Sequence, residues 1–312
     1  MSIAFLFPGQ GSQSPGMLHS LPDHAAVAST FEEASQTLHQ DIRELDSPES
    51  LQSTVSVQLA LLTAGVAVAR ALAAEGVIPE AVAGLSVGAF AAAVHCGVLD
   101  FPEAIRLVRQ RAELMQGLFP TGFGLAAIVG LTESQVTDLV TNAHSTQTPV
   151  YVGNINAPRQ IVIAGSDAGM SAVLEAARKV GARKAERLQV AVPSHCPLLE
   201  PVAEALRTAL QGMSLRSPQL IYVSNVRARP LRQADAAAVA EDLANNIAHG
   251  VRWHDATTVL EELGCRLFLE MPSGGVLTGL AKEAFPDVRS LALSQSGLKG
   301  AMFAAANIRL NE

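Results

Sequence analysis

The stretch AVAGLSVGAFAAAVHC, residues 81–96, decides the fold because it joins a short apolar run to a long alanine-rich run. Residues 81–85 predict a buried strand, and residues 86–96 predict a helix that begins directly after it. The turn between them, Gly84-Leu85-Ser86-Val87-Gly88, is a G-x-S-x-G motif in the strand–helix context that the motif requires. Ser86 is therefore a candidate nucleophile, and the alternative is a serine that only caps a helix.

Strands and helices alternate on both sides of this stretch. Residues 3–7 form a continuous apolar run that ends at Pro8-Gly9, as expected for a strand buried on both faces of a parallel sheet. Similar runs occur at 220–223, 267–269 and 290–293. Helical patterns occupy 56–75, 86–96, 102–117, 197–211, 236–248, 254–263 and 275–284. The alternation predicts an α/β fold with a hydrolase-like parallel sheet.

The middle of the chain has a different order of elements. Predicted strands lie at 125–129, 150–156, 160–164 and 183–190, and predicted helices at 133–143 and 167–180. The order β-α-β-β-α-β is that of a ferredoxin-like α+β unit. We therefore predict a small subdomain at 123–190, inserted into a large α/β domain made of 1–122 and 191–312.

Composition excludes several classes of protein. The 312 residues carry a net charge of -7, which argues against a nucleic-acid partner because such partners need a basic surface. The three cysteines form no CxxC pair, so we expect neither a disulfide framework nor a metal site. The N-terminus has no basic region before its apolar residues, and the protein is expected to be cytoplasmic.

One segment is apolar enough to need a membrane test. Residues 55–74 are mostly apolar or small, but Gln58, Thr63 and Arg70 interrupt them and alanine and glycine supply much of their bulk. A membrane-spanning helix needs about 20 strongly apolar residues. The segment is therefore interpreted as a helix buried in a large core, with no membrane partner.

A serine nucleophile needs a base, and His195 is the candidate among eight histidines. It lies between Pro193 and Pro197, in a stiff loop that leaves the small subdomain and re-enters the large domain. Binding sites often lie at such junctions. The alternative is an ordinary polar residue at the surface.

Arg111 lies on the wrong face of its helix. At about 100° per residue, it falls near the middle of the apolar half of helix 102–117, whereas Arg106 and Arg109 fall on the polar half. A buried guanidinium needs an anion, because it cannot easily lose its charge. That anion is either a structural carboxylate of the protein or the carboxylate of a substrate held in a bidentate manner.

A glycine-rich loop, Gly9-Gln10-Gly11-Ser12, follows the first predicted strand. It is a poor match to the dinucleotide fingerprint, because Ser14 stands in the place of the third glycine. We interpret it as a turn that brings the Gln10 N–H toward Ser86. The Val87 N–H, at the start of the helix, is the expected first donor to an oxyanion.

Together these motifs resemble the malonyl-CoA:acyl-carrier-protein transacylase family. The resemblance covers nearly the whole chain in order. Its motifs are Phe7-Pro8-Gly9-Gln10-Gly11-Ser12-Gln13, Gly84-Leu85-Ser86-Val87-Gly88, Arg109-Gln110-Arg111-Ala112-Glu113-Leu114-Met115-Gln116, Asn154-Ile155-Asn156-Ala157-Pro158, Val192-Pro193-Ser194-His195 and Val276-Leu277-Thr278-Gly279-Leu280.

The resemblance implies a role for each matching residue. Ser86 would be the nucleophile and His195 the base, and the N–H groups of Gln10 and Val87 would form the oxyanion hole. Arg111 would bind the malonyl carboxylate. The other substrate-binding and supporting positions that it implies are Ser194, Asn156 and, for the loop of the base, Asn246. Malonyl-CoA would be the substrate, with no permanently bound cofactor.

The chain departs from the family pattern in several places. Leu85 stands where the family usually has a histidine, and Asn246 stands where a glutamine usually supports the loop of the base. Residues 271–275 replace the usual Gly-Pro-Gly. The form Gly-Leu-Ser-Val-Gly-Ala is most similar to the epsilon subunit of malonate decarboxylase. We therefore expect that role, with fatty-acid synthesis as the alternative.

The epsilon-subunit interpretation implies particular partners. They are an acyl carrier protein with a CoA-derived thiol arm and the other malonate decarboxylase subunits. Carrier proteins of this kind are usually acidic, so the basic residues within 178–187 are a candidate docking surface; the alternative is a solvated basic face. Those residues are Arg178, Lys179, Arg183, Lys184 and Arg187.

Two other functions remain possible at this point. A serine esterase would share the G-x-S-x-G motif and would use a late histidine, such as His254, with Asp235 or Asp242 before it. It leaves Arg111 and the early glycine-rich loop unexplained. A silent scaffolding subunit would be expected to have lost Ser86 or His195, and both are present.

Overall fold

The computed structural model describes residues 2–119 and 121–310, so positions 1, 120, 311 and 312 of the predicted domain ranges lie outside it. The strands are β1 Ser2–Phe7, β2 Ala81–Gly84, β3 Phe123–Val129, β4 Val150–Ala157, β5 Gln160–Ser166, β6 Lys184–Arg187, β7 Ile221–Val223, β8 Pro230–Leu231, β9 Cys265–Glu270 and β10 Arg289–Ala292. The helices are α1 Ala25–Leu38, α2 Thr54–Ala74, α3 Gly88–His95, α4 Phe101–Leu118, α5 Glu133–Ala143, α6 Asp167–Lys179, α7 Glu200–Gln211, α8 Ala236–Asn245, α9 Trp253–Glu262, α10 Val276–Ala284 and α11 Leu293–Leu310.

A six-stranded sheet with the order β10-β9-β1-β2-β7-β8 forms the main body. Its strands pair in parallel, except that β8 joins β7 in the antiparallel direction. Alternate residues of β1 enter cores on opposite faces: Phe5 packs with one core and Leu6 with the other. Burial on both faces explains the continuous apolar run and confirms the predicted α/β class. The antiparallel edge strand was not predicted.

The membrane-length segment is helix α2. It is long and apolar enough to cross a membrane by length and composition alone, but 83% of its most apolar window is buried inside the protein. It packs against α1, α3 and α4. This burial is that of the core helix that the sequence predicted.

The second sheet has four antiparallel strands in the order β4-β5-β3-β6. Helices α5 and α6 pack on one face through a separate apolar core, which is the predicted ferredoxin-like arrangement. On the other face, Leu125, Val162 and Ala164 pack against Cys196, next to the candidate base. The second sheet thus covers the candidate site. The division of the chain at 123 and 190 stays a prediction.

Three of the predicted boundaries that matter for the site were wrong. Helix α3 begins at Gly88 and not at residue 86, because Ser86 has a positive φ of 56° that no helix accommodates. Strand β6 ends at Arg187, so residues 188–190 form a loop that borders the site. The predicted helix 236–248 ends at Asn245, which frees the next carbonyl groups to bind His195.

Candidate active site

The Ser86 turn is a tight elbow between β2 and α3. Ser86 has a left-handed backbone conformation, with a φ of 56°. A Cβ atom on Gly84 would lie 2.2 Å from the Gly88 backbone, and one on Gly88 would lie 2.1 Å from the Phe7 carbonyl oxygen. Both glycines are required because the turn leaves no room for a side chain at either position. The predicted elbow is thus present in the structure.

Asn225, from the loop after β7, holds the elbow from the side. Its Oδ1 accepts a hydrogen bond from the Ser86 N–H at 3.1 Å, and its Nδ2 donates to the Gly84 carbonyl at 2.6 Å. One carboxamide therefore binds backbone groups on both sides of Leu85. The sequence analysis missed this residue.

Asp242 holds Asn225 in turn. This buried carboxylate accepts hydrogen bonds from the Asn225 N–H at 3.0 Å and the Tyr222 hydroxyl at 2.8 Å, and two further donors are Ser224 and Val226. Burial raises the pKa of Asp242, and the hydrogen bonds oppose that shift. The network fixes the loop of Asn225 from behind the elbow.

His195 faces the nucleophile. Its Nε2 lies 2.9 Å from Ser86 Oγ, and its Nδ1 donates to the Asn246 carbonyl oxygen. Since Nδ1 carries the proton in this contact, Nε2 is free to accept the Ser86 hydroxyl proton. The backbone of His195 has a φ of 66°, and its N–H donates to the Ile247 carbonyl at 2.7 Å.

The imidazole of His195 is neutral at physiological pH. Burial and the nearby Arg111 cation lower its pKa to about 3, and the hydrogen bond to Asn246 opposes them. A neutral imidazole is the state that a general base requires. No acidic third residue is needed, because a backbone carbonyl holds Nδ1.

The predicted role of Asn246 needs a correction. The support for His195 comes from the Asn246 backbone carbonyl and not from the side-chain amide. The side chain makes only a long contact, from Nδ2 to the Ser86 carbonyl at 3.5 Å. Asparagine in place of the longer glutamine therefore does not remove the contact to the base.

Arg111 extends from α4 into the same site and is 1% exposed. Its Nη2 donates to Ser86 Oγ at 3.1 Å and its Nη1 to Gln58 Oε1 at 2.5 Å. Burial lowers the pKa of Arg111 to about 9. Its hydrogen-bond partners among the described residues include no carboxylate, and its Nε has no partner there. The structural-carboxylate alternative is therefore wrong.

Gln58 is a second residue of the site whose role was not predicted from the sequence. It is 1% exposed within α2, and its Nε2 contacts Met115 Sδ at 3.4 Å. Because its carbonyl oxygen points at Arg111, it orients the guanidinium toward Ser86. Its position as one of the few polar residues of a mostly apolar helix was the available signal.

A small cavity joins these groups and adjoins a larger groove. Ser86, Arg111, His195, Gln58 and Ser194 line the cavity. Six residues line both the cavity and the groove: Gly9, Gln10, Leu85, Leu125, Asn154 and Val190. Since the two spaces share these walls, the groove lies directly beside the cavity that contains Ser86.

Asn156 lies farther from the nucleophile than a neighbouring asparagine of the same strand. It lines only the outer groove, whereas Asn154, two residues earlier on the same strand, lines both spaces. The Oδ1 atoms of both residues are buried and have no partner within the described residues. Asn154 is therefore the asparagine nearer the reacting atoms, and Asn156 is placed to contact a substrate farther out.

The two predicted oxyanion donors, Gln10 and Val87, stay predictions. Gln10 lines the cavity, and Val87 directly follows the nucleophile. Among the described residues, neither N–H donates one of the turn, loop or cap hydrogen bonds. Both N–H groups are therefore free of these bonds, as the proposed role of oxyanion donor requires.

The residues of the esterase alternative do not assemble. The His254 ring stacks on Phe285 at a centroid distance of 6.0 Å. Asp235 accepts from the Arg232 N–H, and Asp242 belongs to the network behind the elbow. In the part of the chain that the structure describes, no group of three or more His, Cys, Asp or Glu residues could hold a metal ion.

The site thus combines a serine at an elbow, a neutral imidazole and an arginine that has no carboxylate partner among the described residues. The model of the acyl transferase domain family matches residues 4–302. The chain therefore belongs to the acyl transferase family and is an acyltransferase.

Relatives narrow the class to malonyl-CoA:acyl-carrier-protein transacylases. The malonyl CoA-acyl carrier protein transacylase of Salmonella typhimurium is 36% identical over 299 residues, which cover 94% of this chain and 96% of that protein. The same enzyme of Bacillus subtilis is 36% identical over 300 residues, covering 94% and 93%. These names confirm the resemblance to the malonyl transacylase family.

Solved structures of malonyl transacylases are also similar to this chain over nearly its whole length. The malonyl CoA-acyl carrier protein transacylase of Coxiella burnetii superposes with a TM-score of 0.92 at 35% identity, covering 98% of this chain and 97% of that one. A malonyl-transacylase in complex with a type II polyketide-synthase acyl-carrier protein has a TM-score of 0.91 at 35% identity, covering 98% and 100%. The names agree better with the fatty-acid-synthesis alternative than with the epsilon-subunit role.

Proposed function

We propose that this enzyme moves a malonyl group from malonyl-CoA to the thiol of an acyl carrier protein through a malonyl-Ser86 intermediate. Arg111 carries the proposal. It is a buried cation without a carboxylate partner among the described residues, and it lies 3.1 Å from Ser86 Oγ. An acyl group with a free carboxylate supplies the anion that this guanidinium lacks.

In the first step, His195 Nε2 takes the Ser86 proton as Oγ attacks the thioester carbonyl. The Oγ–C bond forms, the C–S bond breaks and CoA leaves as the thiol after it receives the proton from His195. The Asn246 carbonyl oxygen stabilises the imidazolium that forms between these events. Arg111 holds the malonyl carboxylate meanwhile.

The N–H groups of Gln10 and Val87 stabilise the oxyanion of each tetrahedral intermediate. They come from the turns after β1 and β2, which are paired neighbours in the sheet. Losing one such donor typically costs about 10²–10³ in rate.

In the second step, the carrier thiol enters and reverses the sequence, which predicts ping-pong kinetics. Because the groove adjoins the same cavity, we expect the thiol arm to follow the path that CoA leaves. The groove presents Gln13, Gln52, Gln160 and Gln189 beside apolar residues. These side chains suit an arm that contains both amide and methyl groups.

The basic residues within 178–187 support carrier docking only weakly. Lys179 pairs with Glu175, Lys184 pairs with Glu186 and Arg187 pairs with Asp167. Their charges are therefore largely balanced locally. The docking role stays a prediction: charge reversal at Arg183 and Lys184 should slow transfer to the carrier, and unchanged transfer would remove it.

Intact mass after mixing the enzyme with malonyl-CoA alone tests the proposed function. We expect a malonyl adduct on the wild-type enzyme and none on the Ser86→Ala variant. Release of CoA without an adduct would favour a hydrolase. Absence of both adduct and free CoA would contradict the transferase and favour a silent subunit.

The carrier itself is a separate proposal. We propose a carrier of the fatty-acid type first, because the names of the relatives favour it. The malonate decarboxylase carrier is the second candidate, because Leu85 replaces the usual histidine and lines both the cavity and the groove. Transfer rates from malonyl-enzyme to carriers with a phosphopantetheine arm and with a dephospho-CoA-derived arm distinguish the two. The cytoplasmic location also stays a prediction.

A further inference from the structure

Arg111 contacts the nucleophile directly. The Ser86 hydroxyl donates to His195 Nε2 at 2.9 Å and accepts from Arg111 Nη2 at 3.1 Å. A hydroxyl has one proton and two lone pairs. One of the lone pairs with which Ser86 would attack a carbonyl is therefore engaged by a cation.

The charge of Arg111 has no neutralising partner among the described residues. Its other contact is the uncharged carboxamide of Gln58, and its Nε has no hydrogen bond there. The guanidinium is almost fully buried, so water does not screen its charge. After burial, this charge is the largest cause that lowers the pKa of His195.

We propose, on the basis of the proposed function, that Arg111 masks Ser86 until the carboxylate of the acyl donor draws the guanidinium away. When the acyl group has no carboxylate, one lone pair of Ser86 stays bound to Arg111 and His195 stays a weak base. Discrimination against acetyl-CoA is therefore expressed in the rate of Ser86 acylation at saturation, in addition to binding.

Two physical effects act together in this release. A carboxylate forms stronger, charge-assisted hydrogen bonds with a guanidinium than a neutral hydroxyl does, so it competes successfully for Nη2. An anion beside Arg111 also offsets the positive charge that opposes protonation of His195. The base is strengthened at the moment at which the nucleophile is freed.

A substrate supplied in two pieces tests the proposal. The wild-type enzyme is mixed with saturating acetyl-CoA, with and without formate, and acetyl-Ser86 is followed by rapid quench and intact mass. Chloride at equal ionic strength is the control. We expect formate to accelerate acylation on the order of tenfold, which corresponds to about one pKa unit at the base. The Arg111→Ala variant should show no formate effect and should be acylated by acetyl-CoA faster than the wild-type enzyme without formate.

Gln58→Glu tests the same idea without removing Arg111. It places a carboxylate on the present Arg111 partner, so acetylation should be faster without formate and should no longer respond to it. The control is Arg109→Ala, because Arg109 is exposed on the same helix and pairs with Glu113; it should behave as wild type.

The results separate this proposal from the proposed function. No formate effect on the wild-type enzyme, or an equal effect on Arg111→Ala, would overturn the masking proposal. A malonyl adduct formed by the same preparation would leave the transferase standing in that case. Failure to form that adduct would instead contradict the transferase.

Discussion

The loops of Ser86 and His195 are held in different ways, although both residues have a positive φ. The Ser86 turn is held by a side chain, because the Asn225 carboxamide binds the Ser86 N–H and the Gly84 carbonyl. The His195 loop is held by main chain, because the carbonyl groups of Asn246 and Ile247 accept from Nδ1 and from the backbone N–H.

This difference predicts which residues can be substituted without loss of the contacts that hold the two loops. A side-chain contact is lost when the residue changes, whereas a backbone carbonyl is present in every residue. The Ser86 side of the site should therefore be sensitive to substitution of Asn225, although that residue is distant in sequence. The His195 side should tolerate changes at Asn246, one of the positions where this chain departs from the family.

The largest expected loss of acylation rate comes from a substitution that distorts the Ser86 turn. In Gly88→Ala, the new Cβ would lie 2.1 Å from the Phe7 carbonyl oxygen, so the elbow must move. A displacement of about 1 Å costs about 10² in rate, and we expect at least that loss of acylation. Gly279→Ala is the control, because that Cβ meets nothing within 4 Å. Normal acylation in Gly88→Ala would contradict the tight turn.

The Asn225→Ala variant removes the side chain that holds the Ser86 turn. The Ser86 N–H and the Gly84 carbonyl lose their partner, which costs about 1–3 kcal/mol of stability. Because the elbow loosens, kcat for acylation should fall on the order of tenfold while KM changes little. Asn245→Ala, which removes an acceptor of Arg207 outside the site, is the control. A change confined to KM would argue against a positioning role.

Asn246→Ala makes the same substitution on the His195 side and should have a smaller effect. The backbone carbonyl that accepts from Nδ1 remains, and only the contact at 3.5 Å is lost. We expect acylation to fall by less than about threefold, or roughly 0.7 kcal/mol in barrier. A loss equal to that of Asn225→Ala would show that both sides depend on side chains.

The smallest expected change is in the pH dependence of acylation, which tests the protonation state of His195. The kcat/KM for acylation reports the free enzyme, in which the pKa of His195 is lowered to about 3. The rate constant should therefore stay level from pH 8 through 6.5. A midpoint near 6.5 would show that the imidazole has an ordinary pKa.

The lowered pKa of His195 also predicts that the free energy of unfolding falls as the pH falls below about 6.5. The unfolded chain protonates this histidine near its usual pKa of 6.5, whereas the folded protein holds it neutral. The unfolded state thus binds more protons as pH falls from 6.5 toward 3. Unfolding by urea at pH 5 should show a lower stability than at pH 7, and His195→Gln should reduce that difference.

The sequence predicted the residues whose local pattern is unusual. The strand–turn–helix context identified Ser86, and a charged residue in the middle of an apolar helix face identified Arg111. The paired prolines drew attention to His195. The fold class followed from alternating apolar runs, and the structure and the relatives confirm it. The roles of these residues stay predictions until they are tested.

Contacts distant along the chain could not be predicted in this way. Asn225 is 139 residues from Ser86, and nothing in its own loop indicates the elbow that it holds. Gln58 was noticed only as an interruption of an apolar helix, because periodicity shows burial and not the partner that a buried polar group finds. Helices α1 and α11 also have no counterpart in the sequence analysis, and α11 contains a bend at Gly297 that interrupts its pattern.

The contact between Gly9 and Leu85 affects how the enzyme could be redesigned. A Cβ on Gly9 would lie 2.7 Å from the Leu85 carbonyl oxygen, so the two turns touch through their backbones. The width of the proposed oxyanion hole is therefore inherited from the spacing of neighbouring strands, about 4.8 Å, and not from any side chain. An engineer could exchange side chains around the acyl group for a different cargo, while the geometry that stabilises the reacting oxygen would remain that of the sheet.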